Sequence, residues 1–185
     1  MTKEHEIIIA GFGGQGVLSM GRLIAYAGMI EGKEVSWMPS YGPEMRGGTA
    51  NCIVIISDKR ISSPIITRFD TALILNQPSL DKFEKSVKPG GLLIYETSTI
   101  IHPPTRTDIE ILAIPGIEEA DKLQAKQVAN MVIAGAFLTK RPILKLETLI
   151  DALKKALPPR RHNLIPINEQ ALNRGKELAK VAEFV

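Results

Sequence analysis

Two stretches of this chain concentrate groups able to hold a ligand. The first is Gly11-Phe12-Gly13-Gly14-Gln15-Gly16, which follows the apolar run Ile7-Ile8-Ile9-Ala10 and leads into a helical pattern. Glycines at that spacing let the chain turn tightly and let a ligand approach bare backbone. The helix behind them aims its N–H groups and positive dipole end outward, which suits a phosphate or another anion. The second is Pro39-Ser40-Tyr41-Gly42-Pro43-Glu44-Met45-Arg46-Gly47-Gly48, a loop rich in Pro and Gly. It offers the Ser40 and Tyr41 hydroxyls, the Glu44 carboxylate and the Arg46 guanidinium. Gly11, Gly13, Gly14, Gln15, Gly16, Ser40, Tyr41, Glu44 and Arg46 are therefore the candidate ligand-binding residues. Each stretch has a plainer reading beside the chemical one. The glycines can serve only to lay a helix close on a strand, and Glu44 and Arg46 can pair with each other or with a neighbouring subunit. An ordinary dinucleotide site also needs an acid at the end of the second strand for the ribose hydroxyls. That strand ends in Trp37-Met38-Pro39, with Glu34 at its beginning, so nicotinamide cofactors lose much of their support.

The elements that must position these groups follow from apolar periodicity. Strands are predicted near Ile7 to Gly11, Glu34 to Met38, Ala50 to Ile56, Thr71 to Asn76, Gly91 to Glu96 and Ile109 to Ile114; helices near Gly14 to Gly32, Pro78 to Lys85, Ala120 to Leu138, Leu146 to Leu157 and Pro166 to Val181. Strands alternating with helices predict an α/β fold, a single-domain Rossmann-like sandwich over residues 1–185 with a mostly parallel sheet and helices on both faces. In such a sheet the loops after the strands line the ligand crevice, so the segment from Pro39 to Gly48 belongs near the glycine turn. Asn76-Gln77 and Glu96-Thr97-Ser98 share that edge, either lining the crevice or capping turns and helix starts. Val128 to Leu138 is apolar nearly all round and fits a helix packed on several sides or against a partner chain; its Asn130 reads as a satisfied buried amide.

Composition narrows the function further. Of 185 residues 44% are apolar and 23% charged, with a net charge of +3 and a pI near 9.0, short of the balance of a dedicated nucleic-acid binder. Aromatics at 5% leave few platforms for stacked bases. Cys52 is the sole cysteine, which excludes internal disulfides, CxxC pairs and cysteine-ligated iron–sulfur clusters, and its apolar strand suits a buried small hydrophobe. His5, His102 and His162 are scattered without metal-ligand spacing, so no metal ligands and no catalytic residues are assigned. No run approaches a signal segment or a membrane span, and a soluble cytoplasmic protein is expected. Arg160-Arg161-His162, after Pro158-Pro159, is the basic cluster, suited to phosphates, to an acidic partner or simply to water.

Gly11-Phe12-Gly13-Gly14-Gln15-Gly16-Val17, followed by Ser40-Tyr41-Gly42-Pro43-Glu44-Met45-Arg46-Gly47-Gly48-Thr49, resembles the gamma subunit of 2-oxoacid:ferredoxin oxidoreductases. The similarity continues through Asn130-Met131 and Ile167-Asn168-Glu169. Within the family the 2-oxoglutarate enzyme is the first choice, with pyruvate, branched-chain oxoacid and indolepyruvate versions close behind. The resemblance implies one piece of an enzyme that decarboxylates a 2-oxoacid, passes two electrons to ferredoxin and hands the acyl group to coenzyme A. Thiamine diphosphate, Mg and the iron–sulfur clusters are then expected on alpha and beta subunits, with a delta subunit as a further candidate partner. Neither nucleic acid nor membrane is an expected partner. This chain would complete the assembly and the coenzyme A side of the active site.

Overall fold

Alternation along the first strand decides the layering. In β1 (Glu4–Phe12) the side chains of Ile7 and Ile9 enter one apolar core and those of Ile8 and Ala10 enter another, because successive residues of a strand face opposite sides. The computed structural model describes residues 4–42 and 48–182, apart from the side chain of Tyr41. After β1 come α1 (Val17–Ile30), β2 (Glu34–Tyr41), β3 (Thr49–Ser57), β4 (Phe69–Ile74), α2 (Gln77–Phe83), β5 (Val87–Glu96), β6 (Glu110–Ile114), α3 (Gly116–Lys122), α4 (Ala129–Lys140), α5 (Leu146–Ala156) and α6 (Ile165–Val181). The strands form one sheet in the order β2-β3-β1-β4-β5-β6. One face carries α1, α3, α4, α5 and α6; the other carries α2 and the segment around Ile100 and Ile109. The α/β sandwich predicted from the sequence is thus observed, with unequal layers.

β1 pairs parallel with β4, β4 with β5 and β5 with β6, whereas β3 runs antiparallel to both β1 and β2. A short link joins β2 to β3, and a short link can only return the chain as a hairpin. β3 therefore inserts between β1 and β2, and the register Ala10↔Asn51 and Ser40↔Asn51 places Ser40 two strands from β1.

The helix predicted from Ala120 to Leu138 is broken. α3 stops at Lys122, Gln124 takes a left-handed φ of 55°, and a short turn over Lys126–Val128 leads into α4. The periodic apolar signal runs through the break because Ala125 and Val128 are buried in the same core. α4 is apolar all round because it lies between the sheet and α6. At their crossing a Cβ on Gly175 would fall 1.9 Å from the Val132 carbonyl oxygen, and one on Gly135 would fall 2.0 Å from that of Leu172. The covering element is part of the same chain.

Candidate functional site

α1 leaves β1 over one face of the sheet and α2 leaves β4 over the other. Between the carboxyl ends of β1 and β4 the connections diverge and a crevice opens, the usual place for a ligand in an open α/β sheet. The glycine turn fills this position. Gly11 and Phe12 still belong to β1, and the turn proper is Gly13–Gly16. Gln15 is its brace: the Gln15 side-chain oxygen accepts from the Phe12 N–H at 2.6 Å and its side-chain amide donates to the Leu75 carbonyl at 2.8 Å, tying the turn to the end of β4. Gly16 caps α1 at φ 77°, ψ 18°, and the Asn130 side-chain amide donates to its carbonyl at 3.2 Å. Asn130, read as a satisfied buried amide, holds the turn from the α4 side.

No side chain caps α1 and no acid stands in its first turn. The dipole end of the helix and its first N–H groups therefore remain directed at a cleft of about 460 Å³ that Gly13, Gly14, Gly16, Leu18 and Ser19 help to line. A second cleft, about 220 Å³, lies on the other side of the turn between Gly14, Gln15, Glu96, Ile117, Lys126 and Asn130. The Glu96 carboxylate is buried and accepts from the Ser98 N–H at 2.8 Å and the Ile117 N–H at 3.0 Å. Together the clefts set amide donors and a helix dipole opposite a fixed carboxylate. That arrangement fits an elongated ligand with an anionic end and hydrogen-bond donors elsewhere.

The other sequence candidates divide. Gly13 N–H donates to the Gly48 carbonyl at 2.8 Å, and Gly42 N–H to the Thr49 carbonyl at 3.2 Å, so the base of the Pro39–Gly48 loop abuts the glycine turn as expected. Glu44 and Arg46 lie outside the described residues, as does the Tyr41 side chain. Ser40 is exposed on β2 and lines neither cleft, because β3 intervenes. Asn76 caps α2 through Ser79 N–H at 2.9 Å, the plainer of its two readings. Glu96 lines the crevice. Lys126 and Gln127 also line it and escaped sequence reasoning, since they fell inside a helix predicted as unbroken; two polar residues between the buried Ala125 and Val128 were the available signal.

Cys52 is buried beneath α1 and its thiol is pushed up to about 12 by that burial. His5 bonds the Thr71 hydroxyl at 2.9 Å, at the opposite edge of the sheet, and a His162 ring nitrogen meets the Leu157 carbonyl at 3.0 Å. Among the described residues no three His, Cys, Asp or Glu are grouped to hold a metal ion. None of the helices described is long and apolar enough to cross a membrane. A hollow of about 480 Å³ at the amino edge is lined in part by charges matched within the chain, Lys33 to Asp58 at 2.7 Å and Lys88 to Asp70 at 2.9 Å. It presents no comparable set of unengaged donors, so the carboxyl edge is the better site.

Comparison with known proteins places the fold in a family. The chain is 38% identical over 178 residues to the ketoisovalerate oxidoreductase subunit VorA of Methanothermobacter thermautotrophicus, covering 96% of this chain and 37% of VorA. It thus spans little more than a third of the length of that relative. The keto/oxoacid ferredoxin oxidoreductase gamma subunit from Geobacter sulfurreducens superposes with a TM-score of 0.82 at 29% identity, over 96% of this chain and 99% of that one. The 2-oxoglutarate:ferredoxin oxidoreductase from Magnetococcus marinus, with 2-oxoglutarate, coenzyme A and succinyl-CoA bound, superposes with a TM-score of 0.88 at 26% identity, over 99% of this chain and 32% of that one. Residues 6–178, nearly the whole described sheet and its helices, match the family described as pyruvate ferredoxin/flavodoxin oxidoreductase, and to that family the chain belongs.

Proposed function

We propose that this chain is a gamma-type subunit of a cytoplasmic 2-oxoacid:ferredoxin oxidoreductase and forms the coenzyme A side of an active site shared with partner subunits. One observation carries the reading. An uncapped α1 N-terminus and a glycine turn braced by Gln15 and Asn130 face open clefts at the edge where the sheet changes connection, a fit for the phosphates of a nucleotide-bearing thiol ester carrier. A relative in the family is known with coenzyme A and succinyl-CoA bound, which supports the ligand class. The same relative supports 2-oxoglutarate as the oxoacid, while the 38% identity to VorA favours ketoisovalerate as the second reading.

Decarboxylation by thiamine diphosphate and electron transfer by iron–sulfur clusters would be supplied from partner chains. The residues here do not fit an iron–sulfur cluster: the one cysteine is buried with its thiol protonated, and cluster ligation needs several thiolates. What this chain's own atoms do is bind and orient. The turn presents N–H groups to an anion, Glu96 fixes the far wall, and Arg46 in the adjoining loop adds a planar bidentate donor.

The test is steady-state kinetics of the assembled enzyme with Arg46→Ala. Loss of a charge-assisted contact to phosphate, about 1.5–3 kcal/mol, corresponds to a rise in KM for coenzyme A of roughly 10- to 100-fold with KM for the oxoacid nearly unchanged. Equal kinetics in variant and parent remove Arg46 from the role. A second reading, in which the turn only packs and the chain is an assembly module, draws on the internal bonds of Gln15 and Asn130. It requires turn substitutions to lower assembly without any selective change in coenzyme A kinetics.

A further inference from the structure

We propose that Lys154, Lys155, Arg160 and Arg161 form a docking face for an acidic surface on a partner subunit of the same oxidoreductase. The inference rests on the reading of this chain as one wall of a shared cleft. Between Asp151 and Glu169 the sequence holds these four cations and no carboxylate, and without them the net charge of +3 would become −1. Four of the 23 Lys and Arg residues thus lie on one short surface segment with no carboxylate between them. Lys154 bonds Asp151 at 2.8 Å, whereas Lys155, Arg160 and Arg161 are exposed and form no ion pair among the described residues. Clustering like charges costs free energy through mutual repulsion unless an opposite surface meets them.

The backbone beneath the arginines is ordered before any partner arrives. Pro158 and Pro159 fix the entry, Arg161 N–H donates to the Pro158 carbonyl at 2.8 Å, and a His162 ring nitrogen meets the Leu157 carbonyl at 3.0 Å within the tight helical turn Pro159–Leu164. Less ordering entropy is then lost on association. None of these cations lines a cleft described above, and residues 158–163 are all exposed. Small anionic ligands sit in concave sites, so a face of this shape suits a protein surface.

Its place in the fold says which protein. α5 begins where α1 ends, Lys145 N–H donating to Glu31 at 2.7 Å, and packs back along α1. The Pro159–Leu164 turn leads directly into α6. That helix runs alongside α4 from Leu172 against Gly135 to Ala182 against Lys140, so its start lies toward the end of α4 where Asn130 holds Gly16 of the glycine turn. A subunit approaching the shared cleft meets the cations at its rim. An electron-accepting protein gains nothing by docking over a chain whose one cysteine is buried and whose described residues hold no metal-ligand group.

The experiment uses the complex co-expressed with its partner subunits. Arg160→Glu/Arg161→Glu is compared with Arg160→Lys/Arg161→Lys and with Lys59→Glu/Arg60→Glu, which makes the same change in net charge on exposed residues at the opposite edge. Assembly is measured by native mass spectrometry from about 0.05 to 0.5 M salt, across which screening shortens from more than 10 Å to less than 5 Å. The expected result is that the reversal weakens assembly about tenfold or more at low salt and flattens its salt dependence. The lysine pair and the opposite-edge control should assemble like the parent, with KM for coenzyme A unchanged in whatever complex the reversal still forms. Equal affinity and salt dependence in the reversal overturn the proposal, as does equal weakening in the opposite-edge control. Intact assembly with a raised KM for coenzyme A also overturns it, assigning the arginines to the ligand. If Arg46→Ala leaves coenzyme A kinetics unaltered while the reversal still disrupts assembly, the ligand reading fails and the docking face stands.

Discussion

The bond between Asn130 and Gly16 makes a measurable claim about how the turn is held. At φ 77° and ψ 18° Gly16 is in the left-handed region, where a Cβ costs about 1–2 kcal/mol. That Cβ would also fall 2.4 Å from the Asn130 amide nitrogen and 2.9 Å from its Cγ. The amide must swing away, and its 3.2 Å bond to the Gly16 carbonyl is lost, about 1 kcal/mol more. Gly16→Ala should therefore destabilise by about 2–3 kcal/mol. Gly14→Ala is the internal control: φ is 101° but nothing lies within 4 Å of the added carbon, so only the backbone cost applies. Asn130→Ala alone loses the bond, about 1 kcal/mol. In the Gly16→Ala/Asn130→Ala double variant there is nothing left to collide with and the bond can be lost only once, so the combined cost should fall short of the sum by about 1 kcal/mol. Urea unfolding followed through Trp37, the sole tryptophan, gives all four values. Strict additivity would refute the reasoning, because it would mean that the Gly16 backbone and the Asn130 side chain do not sense each other.

Two further outcomes follow from charge and burial. Cys52, with its thiol pushed up to about 12 by burial, should resist thiol reagents in the folded protein near pH 8 and react fully in denaturant; rapid labelling of the native chain would contradict the packing beneath α1. Glu119 is buried against Arg174 and, at 2.8 Å, Lys122, and the Arg174 guanidinium above all holds its carboxyl below the ordinary range. A folded-state value below the unfolded one gives stability that is present above about pH 4.3 and is lost as the pH falls through the lower folded value. Thermal melts of Glu119→Gln should therefore show a shallower acid limb than the parent, and superimposable pH profiles would remove the carboxylate from that role.

All six strands were legible from apolar runs, and the observed ends extend or trim the predicted ones by a few residues. Period-2 burial is a local property, visible without knowing what lies opposite. The direction of β3 was not legible in the same way. Whether two strands cross over or turn back depends on the link between them, and the Pro39–Gly48 segment reads equally as a ligand loop and as the link of a hairpin. The break between α3 and α4 was hidden for a related reason. Ala125 and Val128 continue the apolar pattern through a stretch where Gln124 leaves helical geometry. Of the site, Gly13 to Gly16 and Gln15 were recognisable from spacing. The contribution of Lys126 and Gln127 depended on that hidden break, and the clasp of Asn130 on Gly16 spans the length of the sheet region in sequence.

The position of β3 ties the missing ribose acid to the remaining groups. In a dinucleotide fold the second strand neighbours the first, and its terminal carboxylate reaches the ribose beside the glycine turn. Here β3 occupies that neighbouring position and runs the other way, so the end of β2 is displaced by two strand spacings, roughly 10 Å, and an acid placed there would be out of reach. The lack of a carboxylate after Trp37-Met38-Pro39 is thus a consequence of topology as much as of sequence. The same insertion brings the start of β3 alongside the turn, where the Gly48 carbonyl engages Gly13. On that side of the turn stands the start of β3; on the other stands Glu96, held by two amides. A chain so built keeps a glycine turn and an uncapped helix start at the switch point of the sheet without the ribose acid of a dinucleotide fold.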